Sequence, residues 1–145
     1  MLYGIDPILG PELLHALRAM GHGDEIAVVD ANYPATSKGR RLIRLDGIDA
    51  VRVVDAILTL MPLDTFVDYS AFRMAVVDDP KAVPEVCKAF DKVVKKRAPG
   101  HRIQAVERFK FYERAEAAFA TVATGETRLY GNLILKKGVI PPVAD

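Results

Sequence analysis

The sequence predicts an α/β fold. Three features carry that expectation: segments of helical period alternate with short apolar runs, those runs are bounded by glycine, proline or aspartate, and 145 residues suit one domain. Half the residues are hydrophobic and 27% are charged, the balance of a globular chain able to bury one contiguous core. Residues 1–145 are therefore expected to form a single domain, and no internal repeat or low-complexity segment interrupts it.

Gly10, Pro11 and Glu12 open the first helix, because proline suits the first helical position. Leu13, Leu14, Leu17 and Met20 then recur with helical spacing until Gly21 ends it, while His15 and Arg18 fall off that stripe. Ile26, Ala27, Val28 and Val29 form an apolar run entered from Gly23 and left at Asp30, which reads as a strand buried on both faces. The bend between helix and strand carries His22, one of three histidines in the chain.

Asp49 suits the cap of a second helix over residues 50–61, with Val53, Val54, Ile57, Leu58 and Met61 inward and Pro62 as the stop. Residues 72–77 read as a strand. Pro84 starts a third helix with Val86, Phe90, Val93 and Val94 on one face and lysines on the other, closed by Pro99 and Gly100. Residues 103–106 follow as a strand, 109–117 as a helix, 119–123 as a strand and 132–135 as the last strand, with a turn at Gly125 and Glu126. Pro141 and Pro142 predict an extended end.

Composition removes several classes of function. Twenty basic residues nearly cancel nineteen acidic ones, so no global field draws the chain to nucleic acid or to an anionic membrane. The basic groups at Lys95, Lys96 and Arg97 and at Lys136 and Lys137 read as solvated ends of elements. Cys87 stands alone, within the apolar face of a helix, which excludes an intrachain disulfide and favours a packed small hydrophobe over a nucleophile. The first residues lack the basic start and apolar run of a signal peptide, and no apolar stretch reaches a membrane span, so the expected location is the cytoplasm.

No HExxH, CxxC or histidine cluster suggests a metal, and no GxSxG suggests a serine hydrolase. Gly21, His22 and Gly23 lie between a helix and a strand, the reverse of the order a phosphate loop needs. Lys38, Arg40 and Arg41 could grip a phosphate or form a surface turn. Neither cofactor nor metal is expected.

What remains is a set of polar residues beside buried strands, where ligands gather in open α/β sheets: His22, Asp30, Arg108 and the triplet Tyr130, Gly131, Asn132. Each has an alternative reading. His22 could end a helix with its ring on a carbonyl, Asp30 could cap a strand, Arg108 could pair with Glu107 or Glu113, and Asn132 could hold a turn.

Three stretches carry a resemblance: PELLHALRAMGHGDEIAVVDANYPA from residue 11, RFKFYERAEAAFATVATGE from residue 108, and YGNLILKKGV from residue 130. In order and spacing the chain resembles the sugar mutarotase family that contains L-fucose mutarotase and D-ribose pyranase, with FYERA, TGE and LKKGV tilting it toward the fucose branch. The resemblance implies a single three-layer α/β/α domain with a mixed β-sheet, assembled into a homo-oligomeric ring, often a decamer, with sites near subunit contacts. It implies a small neutral monosaccharide as ligand, His22 as the proton donor and acceptor, Asp30 and Arg108 as holders of sugar hydroxyls, and the segment from Tyr130 through Gly131 to Asn132 as the rest of the pocket. The sequence departs from the fucose branch at Asn32 and Tyr33, where histidine and phenylalanine are common, and at the basic stretch 38–41.

The chemistry suits these groups. Interconverting anomers opens a hemiacetal: one proton reaches the ring oxygen while another leaves the anomeric hydroxyl, and closure follows on the other carbonyl face. Histidine, with an ordinary pKa of ~6.5, can give and take that proton. Asp24 or Asp30 could orient the imidazole, Tyr130 could relay the second proton, and Arg108 offers several fixed donors. Three alternatives stay open: pyranose–furanose interconversion of ribose, a sugar-binding module in transport that does no chemistry, and a sugar-phosphate binder using Lys38, Arg40 and Arg41.

Overall fold

The computed structural model describes residues 1–144. Along the chain run α1 (Pro11–Ala19), β1 (Glu25–Val29), α2 (Ala35–Lys38), β2 (Leu42–Leu45), α3 (Ala50–Leu58), β3 (Ala71–Met74), α4 (Glu85–Arg97), β4 (Ile103–Val106), α5 (Arg108–Ala117), β5 (Ala120–Thr124) and β6 (Leu133–Lys136). The strands form one six-stranded sheet in the order β2-β5-β1-β6-β3-β4. Only β6 runs against its neighbours, β1 and β3; the other pairs are parallel, so the sheet is mixed.

Side chains alternate across the strands and sort the core into two layers. Ile26, Val28, Val122, Leu133 and Leu135 pack against α1, α3 and α4, whereas Ala27, Val29, Ala123, Ile134, Phe72 and Met74 pack against α2 and α5. Helices therefore cover both faces, giving the expected α/β/α layering. β1, at the centre, is buried on both faces from Ile26 to Val29, as its uninterrupted apolar run predicts.

The parallel strands deliver their C-terminal ends to one rim of the sheet, where β6 begins. Their N-terminal ends lie at the opposite rim, where β6 stops. This arrangement decides which functional residues can meet.

Four local differences from the sequence reading have physical reasons. The helix expected over 50–61 ends at Leu58, where the Thr59 hydroxyl donates to the Ala56 carbonyl at 2.6 Å. The strand expected over 72–77 is Ala71–Met74; Ala75 donates once more, to Val106 O, before the chain turns through Asp78 at φ +63°. Helix α2 and edge strand β2 were not anticipated, being four residues each, with the solvent-facing Arg44 breaking the apolar run of β2. Lys137 is no solvated end: its ammonium donates to Leu17 O at 2.7 Å and to Met20 O at 2.5 Å. Among the described residues no helix is long and apolar enough to cross a membrane.

Candidate active site

At the C-terminal rim, β1 runs out into Asp30, which is only 6% exposed. Asn132, beside it at the start of β6, accepts from Asp30 N–H at 2.8 Å and donates from Nδ2 to Asp30 Oδ2 at 2.9 Å. The other carboxylate oxygen accepts from Asn32 N–H at 3.0 Å. Burial pushes the Asp30 carboxyl above its ordinary range despite these donors, and the nearby charge of Glu126 adds to the rise.

Tyr130 sits in the left-handed region at φ +65°, and its hydroxyl oxygen accepts from Val77 N–H at 3.1 Å. An acceptor lone pair is thereby used and the phenolic proton stays available to a ligand. Gly131 is buried behind the wall of the cleft and does not line it; a Cβ there would lie 2.5 Å from Glu126 Cγ. Glycine is needed for this close passage. Glu126, 2% exposed, anchors the loop through Arg128, which donates to it from Nε at 2.9 Å and from Nη2 at 3.0 Å. That guanidinium, chiefly, holds the Glu126 carboxyl below its usual range.

Arg108 opens α5. Glu107, a candidate partner for it, is instead spent on the helix cap, accepting from Phe109 N–H at 3.0 Å and Lys110 N–H at 3.1 Å. The Arg108 guanidinium lies over the Phe109 ring at 4.6 Å and joins none of the ion pairs among the described residues.

Asp30, Arg108, Tyr130 and Asn132 line one cleft of about 250 Å³, together with Asn32, Tyr33, Met74, Val77, Tyr112 and Leu129. Drug-sized sites run to ~300–1,000 Å³, so this one has room for a single small ring. Sequence reasoning missed Asn32, Tyr33, Met74, Val77, Tyr112 and Leu129 as lining residues, although Tyr112 belongs to the FYERA stretch. Tyr33 and Tyr112 face each other with ring centroids 5.8 Å apart, and burial, with smaller repulsion from Glu116 and Tyr112, pushes the Tyr33 hydroxyl up to about 12.

His22 is elsewhere. It precedes β1 whereas Asp30 follows it, and five residues of strand put about 17 Å between the two rims. The expected gathering of His22 with Asp30 and Asn132 in one cleft does not occur within one chain. The ring is 44% exposed, and its Nε2 lies 2.9 Å from Oδ1 of Asp64, which is 3% exposed. Phe66 donates its N–H to the same oxygen at 3.0 Å and stacks obliquely on the imidazole at 5.3 Å. Burial pushes the Asp64 carboxyl up, but Phe66 N–H, the His22 contact and the Lys136 charge together outweigh it and hold the group below its ordinary range. An ionised Asp64 accepts from Nε2–H, which leaves Nδ1 of a neutral ring as the proton acceptor.

Asp64 thus takes the orienting role that the sequence left between Asp24 and Asp30. Asp24 instead closes the turn, accepting from Gly21 N–H at 2.7 Å, while Gly23 turns the chain at φ +86°. Separated by 42 residues, His22 and Asp64 give no local signal in the sequence.

The other candidates have ordinary surroundings. His101 Nδ1 is 2.9 Å from Ser70 Oγ, and His15 is exposed. Lys38 pairs with Glu116 at 3.2 Å, and Arg41 lies 4.1 Å above the Phe119 ring while donating to Phe119 O, so both of these cations have partners of their own. Cys87 is buried, and burial pushes its thiol up. Among the described residues no group of three or more histidine, cysteine, aspartate or glutamate side chains could hold a metal ion.

A family model described as the RbsD / FucU transport protein family matches residues 3–140. The chain belongs to that family. Fucose mutarotase of Homo sapiens is 46% identical over 145 residues, 96% of this chain and 94% of that protein. Fucose mutarotase of Danio rerio is 47% identical over 148 residues, 98% of this chain and 96% of its own. A crystal structure of the fucose mutarotase from Streptococcus pneumoniae in complex with L-fucose matches with a TM-score of 0.89 at 44% identity, covering 97% of this chain and 100% of that one. Bacillus subtilis RbsD complexed with D-ribose, at 19% identity and a TM-score of 0.68, shares the fold.

This RbsD / FucU member therefore carries two polar clusters on opposite rims of one sheet. One is a clasped carboxylate with a tyrosine and an arginine around a small cleft, suited to gripping hydroxyls. The other is a half-exposed imidazole oriented by a buried carboxylate, suited to moving a proton.

Proposed function

We propose that this protein is a cofactor-free mutarotase for a free neutral monosaccharide, L-fucose, interconverting its α and β anomers by opening and closing the ring. The observation that carries this reading is the 46% identity to a fucose mutarotase over 96% of the chain, supported by a cleft sized for one sugar ring. Asp30, held by Asn132, and Arg108 grip hydroxyls; Tyr130 gives one proton; His22, oriented by Asp64, exchanges the other. Met74, Val77 and Leu129 supply an apolar wall.

We further propose that the two clusters are half-sites that meet between subunits, the His22 rim of one copy closing the cleft of the next. Phe66 and Val67 beside His22 are 74% and 40% exposed, and Leu129 and Val77 at the cleft 67% and 40%, apolar surface at both rims that such a contact would bury. A contact between unlike faces of identical subunits gives a ring when the rotation between copies closes, and the decamer that the resemblance implies can be built from such rings.

Exchange NMR on equilibrated L-fucose tests the activity: anomer exchange rises with enzyme concentration, and exchange no faster than in buffer rejects this substrate. A ribose ring-form assay run in parallel separates the pyranase reading, and saturable sugar binding without any rate effect separates the non-catalytic one. Light scattering reports the assembly.

A further inference from the structure

We propose that Lys137 is a positioning residue, holding the turn that carries His22 against the segment that carries Asp64; its catalytic consequence rests on His22 being the proton-transfer group. His22 and Asp64 come from separate irregular segments, 42 residues apart, so neither helix nor strand geometry sets their 2.9 Å contact. The chain just beyond β6 lies between them. On one side Lys137 N–H donates to Asp24 O at 2.8 Å and Lys137 O accepts from Gly23 N–H at 2.8 Å, which fixes the exit of the His22 turn. On the other side Lys137 forms an antiparallel bridge with Leu63, Lys136 O accepts from Asp64 N–H at 3.1 Å, and Gly138 N–H donates to Pro62 O at 2.8 Å. The packing leaves no room at Gly138, where a Cβ would come within 2.5 Å of Leu63 O and 2.8 Å of Asp64 Cα.

The backbone of this segment therefore ties both partners to one strand, and the Lys137 side chain adds the third anchor. Its half-buried ammonium reaches back to Leu17 O and Met20 O at the end of α1. These terminal carbonyls lack partners further along the helix and carry the negative end of its dipole, so a cation there is favoured. Met20 leads directly into Gly21 and His22. One residue thus grips the turn at its entry by charge and at its exit by the main chain. Without the ammonium the entry keeps its local bonds, Met20 N–H to Ala16 O and Gly21 N–H to Asp24, but loses its charged link to the chain beyond β6, and an imidazole displaced by ~1 Å can lose ~10²-fold in rate.

The test compares Lys137→Met, Lys137→Gln and Lys137→Arg in the assembled protein by two readouts: steady-state anomer exchange, and the ¹⁵N and ¹³C ring signals of His22 assigned with His22→Ala. Expected are folded Met and Gln variants whose kcat falls roughly 10–100-fold with KM within about twofold, because the ring is displaced while Asp30, Arg108 and Asn132, which hold the hydroxyls, keep their places. Their His22 ring signals should move in the direction seen for Asp64→Asn, and Lys137→Arg, which keeps the charge, should stay near the parent in both readouts. Parent-like His22 signals and kcat in folded Met or Gln variants overturn the assignment, as does a loss of fold in every uncharged variant, which makes Lys137 a stability residue only. Absence of anomer exchange in the parent refutes the proposed activity, while the ring signals still judge the positioning.

Discussion

Asn132 holds Asp30 at both its backbone and its side chain, accepting from the Asp30 N–H at 2.8 Å and donating to Oδ2 at 2.9 Å. Both residues are buried, so truncation leaves a donor and a carboxylate oxygen without partners in a place water reaches poorly. Asn132→Ala should cost about 1–3 kcal/mol of stability and weaken sugar binding together with it. Denaturant midpoints and calorimetric titration with L-fucose check this; unchanged affinity would detach the clasp from substrate recognition.

His22 is half exposed and contributes little packing, so His22→Ala should fold like the parent while anomer exchange falls by ~10²–10⁴-fold, the usual worth of a general acid–base group. Asp64→Asn should lose less, because an amide can still accept from the ring but cannot stabilise its cationic form. Exchange NMR on matched folded samples measures both, and parent-like rates in His22→Ala would remove the imidazole from the mechanism.

The buried carboxylates give opposite pH signatures. Asp64 and Glu126 bind a proton less readily folded than unfolded, so their stabilisation is complete above the ordinary carboxylate range near ~4 and is lost as pH falls through their lower folded values. Asp30 is raised, so its contribution is complete below its unfolded value and is lost as pH rises through its folded one. In urea titrations from acid to neutral pH, Asp64→Asn and Glu126→Gln should flatten the acid limb of the stability profile. Asp30→Asn should instead gain on the parent as pH rises, and a parallel profile would show that Asp30 ionises freely.

The proposed sharing of sites between copies predicts complementation. His22→Ala and Asn132→Ala subunits, each impaired alone, should exceed their separate activities when dissociated and reassembled together, with about a quarter of the sites restored if the copies mix at random around a ring of unlike contacts. Recovery indistinguishable from the unmixed variants would show that the His22 rim and the Asn132 cleft do not act together across a contact between copies.

Much of this was legible in the sequence because local rules and burial agree. The uninterrupted Ile26, Ala27, Val28 and Val29 run announces a central strand, and Asp49 caps α3 by accepting from Arg52 N–H as its position suggests. Asp30, Arg108, Tyr130 and Asn132 converge because they sit where parallel strands end and the antiparallel one begins. Contacts between distant segments left no periodic trace. Asp64 looks like any aspartate before a loop, and Lys137 like any lysine after a strand, until the fold brings His22 and the end of α1 beside them. The four-residue β2 escaped for another reason: it is short, and the exposed Arg44 breaks its apolar run.

Strand β6 begins beside the Asn132 clasp and ends beside the Lys137 anchor. A shift of one residue along its neighbours would turn every side chain to the wrong face and would misplace the Asp30 clasp and the His22 turn in the same event. An insertion or deletion in these four residues is therefore not a partial lesion. The two ends share a single mechanical axle, and a ring built on it would feel a local length error at both of the junctions each subunit makes.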